Sequence, residues 1–147
     1  MAAFLYLFIF ISAGGLILSL VVHICALLGI DLGLGQKVFG LHIGIFLVWI
    51  PTVLVANNLS KDCRRSDYWK VALRGCPGWM KKMTYGFFGY AIVNFIFFMF
   101  FSTKVHTGSV TPEIIRGFSG HWMAFYSAAL VVLYSATQVK NAERLKE

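Results

Sequence analysis

Acidic residues are scarce in this chain: only six of its 147 residues are Asp or Glu. They are Asp31, Asp62, Asp67, Glu113, Glu143 and Glu147, and none falls inside the long apolar runs. A proton or cation pathway normally uses a carboxylate within the bilayer, so an ion-coupled transporter is disfavoured. Cysteine is scarcer still, with three. Cys25 has the setting of a packing residue. Cys63 and Cys76 show no CxxC spacing and no nearby partner His, which favours neither a disulfide nor zinc. The sequence contains no HExxH, Walker loop or GxSxG elbow. Ser119 and His121 place a hydroxyl near an imidazole, but no acidic orienter accompanies them, and Ser119 is expected to cap a helix instead. A positive n-region is missing at the start, so the first apolar run is expected to remain as a membrane span. Without an internal repeat, the chain does not resemble two similar halves, which weakens an inverted-repeat transporter.

Long apolar runs are what the chain has in abundance. They cover about residues 2–28, 38–56, 83–101 and 118–139, each near or above the ~20 residues that cross a ~30 Å hydrocarbon core. At 59% hydrophobic and 13% charged, there is too little polar surface to cover a soluble globule of this size. The expected fold is therefore all-α: an integral membrane four-helix bundle, one transmembrane domain over 1–147, with the lipid bilayer as its first partner.

The cations set the expected orientation. Lys61, Arg64, Arg65, Lys70, Arg74, Lys81 and Lys82 fall in the middle linker, and Lys140, Arg144 and Lys146 in the tail, against Lys37, Lys104 and Arg116 on the other side. The positive-inside rule then places both termini and the linker in the cytoplasm of a plasma membrane, by expectation a bacterial inner membrane. The net charge of +7 belongs to membrane flanks and lipid headgroups, and nucleic acid is not expected as a partner.

Local signals fill in the connections. Gly29, Asp31, Gly33 and Gly35 predict a short turn between the first two spans. Pro51 predicts a kink in the second span and frees a carbonyl about one turn earlier. In the linker, Ser66 is expected to cap a short helix running to Arg74, stopped by Gly75 and Pro77. Trp69, Leu73 and Trp79 among basic residues predict an interfacial segment that anchors in the headgroups, with partner docking as the lesser reading. Asn94, inside a Phe-rich span, is expected to hydrogen-bond to another helix or to the carbonyl freed by Pro51.

All four histidines are expected toward one side of the membrane: His23, His42, His106 and His121. Ser12, Gly15, Ser19, His23 and Ala26 form one stripe of small residues, so His23 is expected to point inward. Gly117, Gly120, Ala124 and Ala128 form a similar seam, with His121 at its edge. His42 shares a face with Phe46, Trp49 and Val53 and is expected either inward or at the interface.

Two inward imidazoles near one level suit the axial ligands of a haem b, or a quinone headgroup held by hydrogen bonds. A copper site with His42 or Met123 is a further alternative, and ordinary structural use competes with all of them. The histidine placement, and nothing else in the chain, resembles small four-helix cytochrome subunits. Two functional classes stay open. One is a non-enzymatic accessory or self-associating subunit in a membrane complex, with Pro51, Asn94 and Gly120 as structural residues. The other is a haem- or quinone-binding redox protein using His23 and His121, with His42 in reserve.

Overall fold

The computed structural model describes residues 2–101 and 110–145. It contains five α-helices and, among the described residues, no strand. They are α1 (Ala2–Leu27), α2 (Gly40–Leu59), a one-turn-long α3 (Tyr68–Ala72), α4 (Gly78–Phe101) and α5 (Pro112–Arg144). All but α3 are long and apolar enough to cross a membrane. The all-α bundle with a short helix in the middle linker is thus as expected, and it is compatible with a small membrane protein.

Helix ends follow local chemistry. Past Leu27, Ile30 N–H donates to the Cys25 carbonyl at 2.9 Å and Gly29 N–H to that of Ala26 at 3.2 Å. This is the Schellman pattern, and it needs the φ of +69° that Gly29 adopts without a Cβ penalty. The turn beyond is tied by Gly33 N–H donating to Asp31 Oδ1 at 2.9 Å. At the start of α5, Thr111 Oγ1 accepts from Ile114 N–H at 3.4 Å, with Pro112 at the first helical position.

That cap corrects one expectation: Ser119 lies two turns inside α5 and does not begin it. Thr111–Pro112 is the stronger start signal, and hydropathy conceals it because Glu113 and Arg116 interrupt the apolar run. For the same reason α4 starts at Gly78, directly after Pro77, before the apolar run at 83. Ser66 does not cap the linker helix either. It sits in a 3-10 turn, Arg65–Asp67, that leads into α3 with no side-chain cap bond.

The centre of the bundle is α5, with α1, α2 and α4 packed around it. It is the least apolar of the four spans yet the most buried, with 72% of its most apolar window enclosed against 17–33% for the others. Small and polar groups turn inward on it: Ser119, Ser127 and Ser135 are fully buried, as are Trp122 and Leu133. Outward faces instead carry Phe10, Ile43, Ile50 and Phe100 in the open. Such a distribution is unstable in water and suits hydrocarbon, where exposed apolar groups cost nothing and most buried polar groups find partners within the bundle.

The linker is packed onto this core. Cys76 S–H donates to the Val131 carbonyl and Gly75 N–H to Ser135 Oγ, both at 3.0 Å. A Cβ on Gly75 would come within 2.5 Å of the Ser135 carbonyl oxygen, so the close approach requires glycine. Leu73, expected among headgroups, is instead buried beside Val131 and Val132. Trp69 and Trp79 remain exposed on the outside of the linker and of α4. Finally, α2 runs without a break through the buried Pro51, and the next residue, Thr52, donates to the Val48 carbonyl at 2.6 Å.

Candidate functional site

Two polar groups occupy the histidine-bearing end of the bundle. The first joins α1, α4 and α5. His23, on the small-residue stripe of α1, is buried against α5 as its spacing predicts. Its Nδ1 lies 2.7 Å from Ser119 Oγ and its Nε2 lies 2.5 Å from the Tyr90 hydroxyl. Ser119 Oγ donates to the Arg116 carbonyl at 3.3 Å, so in a neutral imidazole Nδ1–H must donate to Ser119. Nε2 is then the acceptor and Tyr90 the donor. A single directed chain of bonds runs from half-exposed Tyr90, through His23 and Ser119, to the backbone of α5.

Asn94 completes this group from α4. Its amide donates to the Arg116 carbonyl at 2.9 Å and to that of Gly117 at 3.4 Å. It therefore bonds to another helix, as expected, and not to the carbonyl beside Pro51. Gly120 makes the approach possible, since a Cβ there would stand 2.7 Å from Asn94 Nδ2. Gly117 similarly receives the Phe98 ring, so the glycine seam of α5 serves α4 of the same chain.

The second group lies on a different face of α5. Ser119 and His121 are two residues apart, which is about 200° around a helix. His121 therefore turns away from His23 and meets His42 of α2, with His121 Nε2 at 3.3 Å from His42 Nδ1. Trp122 Nε1 reaches the same His42 Nδ1 at 3.1 Å. An indole N–H only donates, so His42 Nδ1 is an acceptor and its proton sits on Nε2. His121 then donates from Nε2 and keeps Nδ1 as a bare acceptor.

Neither His42 Nε2 nor His121 Nδ1 has a partner among the described residues, and neither is sealed, so both reach the surface of the bundle. Phe46, Phe118 and Phe125 surround the pair edge-on. Beside His121 an apolar groove of about 270 Å³ opens between α4 and α5, lined by Phe88, Ala91, Phe95 and Ala124 among others.

The structure thus brings His42 and His121 together and leaves His23 apart from both. For His23 to serve as an axial ligand it would have to release Ser119 or Tyr90, because both ring nitrogens are engaged. His106 lies outside the described residues. Among the described residues no group of three or more His, Cys, Asp or Glu is placed to hold a metal ion.

Sequence reasoning missed Tyr90, Arg116 and Trp122 as members of these groups. For Tyr90 a signal existed: it stands four residues before Asn94, on the same face of α4. Comparison with protein families, curated proteins and solved structures finds no match for this chain.

Proposed function

We propose that this chain is a small multi-pass protein of a plasma membrane, by expectation a bacterial one, that works as an accessory or self-associating subunit of a membrane complex. One observation carries the reading. Gly15, Gly44, Gly117 and Gly120 each lie where a Cβ would strike a neighbour within the chain, whereas Gly86 and Gly89 on the outer face of α4 have nothing near them. Glycine inside a helix weakens it relative to Ala by roughly 0.5–1 kcal/mol, and in membranes small residues serve close helix approach. The pair on α4 therefore suits a second helix that is not part of this monomer.

The test uses the full chain in native-lipid nanodiscs, carrying two fluorophores on separate copies. Gly86→Leu and Gly89→Leu should lower co-localisation or shed a co-purifying subunit, while Ile17→Leu on the outward face of α1 should not. An unaltered protein that runs as a lone monomer with nothing bound rejects the reading.

A second reading is a redox protein that binds a quinone, and it is supported by the His42–His121 pair. One bare donor and one bare acceptor on the face of an apolar bundle suit a ring that carries carbonyl oxygens when oxidised and hydroxyls when reduced. Solvent extraction of purified protein should then yield quinone, and His121→Ala should lose it. A haem, the other cofactor weighed, should show a reduced-minus-oxidised spectrum that His23→Ala or His121→Ala removes.

A further inference from the structure

Arg116 is a cation in the wall of the bundle that has no anion among the described residues. It stands on the second turn of α5, about 6 Å along the axis from Pro112. Its Nε is sealed from the surroundings and has no hydrogen-bond partner. Among the described residues the one ion pair is Lys70–Asp67, at the opposite end of the molecule. Glu113 lies three residues away on the same helix and is exposed without pairing to it. The recorded contact of the guanidinium is with the face of the Phe97 ring, 5.1 Å from its centroid.

Neighbouring polar groups do not supply the missing charge. His23, Tyr90, Ser119 and Asn94 are uncharged in the bonding scheme above, and the Tyr90 hydroxyl is already turned toward His23. A guanidinium does not deprotonate in proteins, so the charge persists. An unpaired charge near lipid is costly, and such a residue marks a ligand or partner position. The backbone from which it projects is held firmly: the Arg116 carbonyl accepts from both Asn94 and Ser119. Its Nη groups have no hydrogen-bond partner among the described residues and are not sealed, so they present their donors at the surface.

We infer that Arg116 holds an oxyanion, a phosphate group, at the histidine-bearing end of the bundle against α4 and α5. Asn94 and Phe97 position the guanidinium and do not touch the ligand. The phosphate comes either from a lipid headgroup or from a free phosphate in the adjoining water. Arg suits both, because its planar fork matches phosphate oxygens. This inference stands apart from the subunit and quinone readings, neither of which uses Arg116.

The experiment takes the full chain, delipidated in a neutral detergent, and follows its thermal unfolding during three titrations: phosphatidylglycerol, inorganic phosphate, and diacylglycerol as a phosphate-free lipid. The expected result is a saturable rise in unfolding temperature with phosphatidylglycerol that is absent with diacylglycerol and lost in Arg116→Gln. Arg116→Lys should require roughly tenfold more ligand, because it keeps the charge without the fork. It also serves where Arg116→Gln does not fold. Lys81→Gln, at the other end of the bundle, should respond as the parent does. A rise with inorganic phosphate as well assigns a free oxyanion, and a rise with the lipid alone assigns a headgroup. An equal response of parent and both Arg116 variants, or no response to either phosphate, overturns the site.

Discussion

The Asn94 amide donates to the Arg116 carbonyl across 2.9 Å, and this bond fastens α4 to α5 one turn above the point where Gly120 admits it. A polar group otherwise unfavourable in hydrocarbon becomes a specific tie between helices. Gly120→Leu should therefore push Asn94 off its carbonyls and loosen α4, at a cost of about 1–3 kcal/mol for overpacking together with the lost bond. Reversible unfolding in mixed micelles measures it, and Asn94→Ala should cost less than Gly120→Leu. Equal stability of parent and Gly120→Leu would remove the seam from the account.

Tyr126 is wedged between two glycines in a way that a double-mutant cycle can resolve. A Cβ on Gly15 would strike the carbons of its ring, whereas a Cβ on Gly44 would strike its hydroxyl oxygen. That hydroxyl also donates to the Leu41 carbonyl at 2.7 Å. Gly15→Ala and Gly44→Ala should both destabilise. Tyr126→Phe should relieve the second and not the first, so coupling appears with Gly44 and near-additivity with Gly15.

Trp122 is completely buried and its indole N–H bonds to His42. Trp122→Phe keeps most of the packing and loses the donor, so it should cost about 1 kcal/mol. Trp122→Ala leaves a cavity and should cost about 3–5 kcal/mol. The two costs, read from the same unfolding assay, separate the bond from the volume.

Burial pushes the Cys76 thiol above its ordinary range, with the Ser135 side chain and Lys81 opposing the shift. The folded protein thus favours the protonated thiol more than the unfolded chain does. Its contribution to stability is complete below the ordinary thiol value of about 8.5 and is lost as pH rises through the higher folded value. In the folded protein at neutral pH, maleimide should label partly exposed Cys63 well before Cys76. Labelling of Cys76 should accelerate on unfolding. Equal labelling rates would show that the linker does not stay docked on α5.

Spans and inward faces were legible because they depend on composition and helical spacing. The stripe of Ser12, Ser19 and His23 is buried where the three-and-four spacing puts it. Helix starts were less legible, since Thr111–Pro112 acts through a cap bond that hydropathy does not register. Leu73 was misplaced for a related reason: a short basic amphipathic segment has one composition whether its apolar side meets lipid or Val131 and Val132.

Histidine partners were not legible at all. His23, His42 and His121 gather at one end of the bundle because each lies near the same end of its span, and the sequence by itself determined that. It also determined four apolar helices, the basic linker and the absence of acids within the long apolar runs, all of which follow from the solvent that each segment prefers. Only the tertiary structure decided that α5 is the central helix, that His121 meets His42 while His23 meets Ser119 and Tyr90, and that Arg116 has no anion among the described residues. Those outcomes depend on the rotation of each helix about its axis, which is fixed by where glycines let neighbouring helices close in.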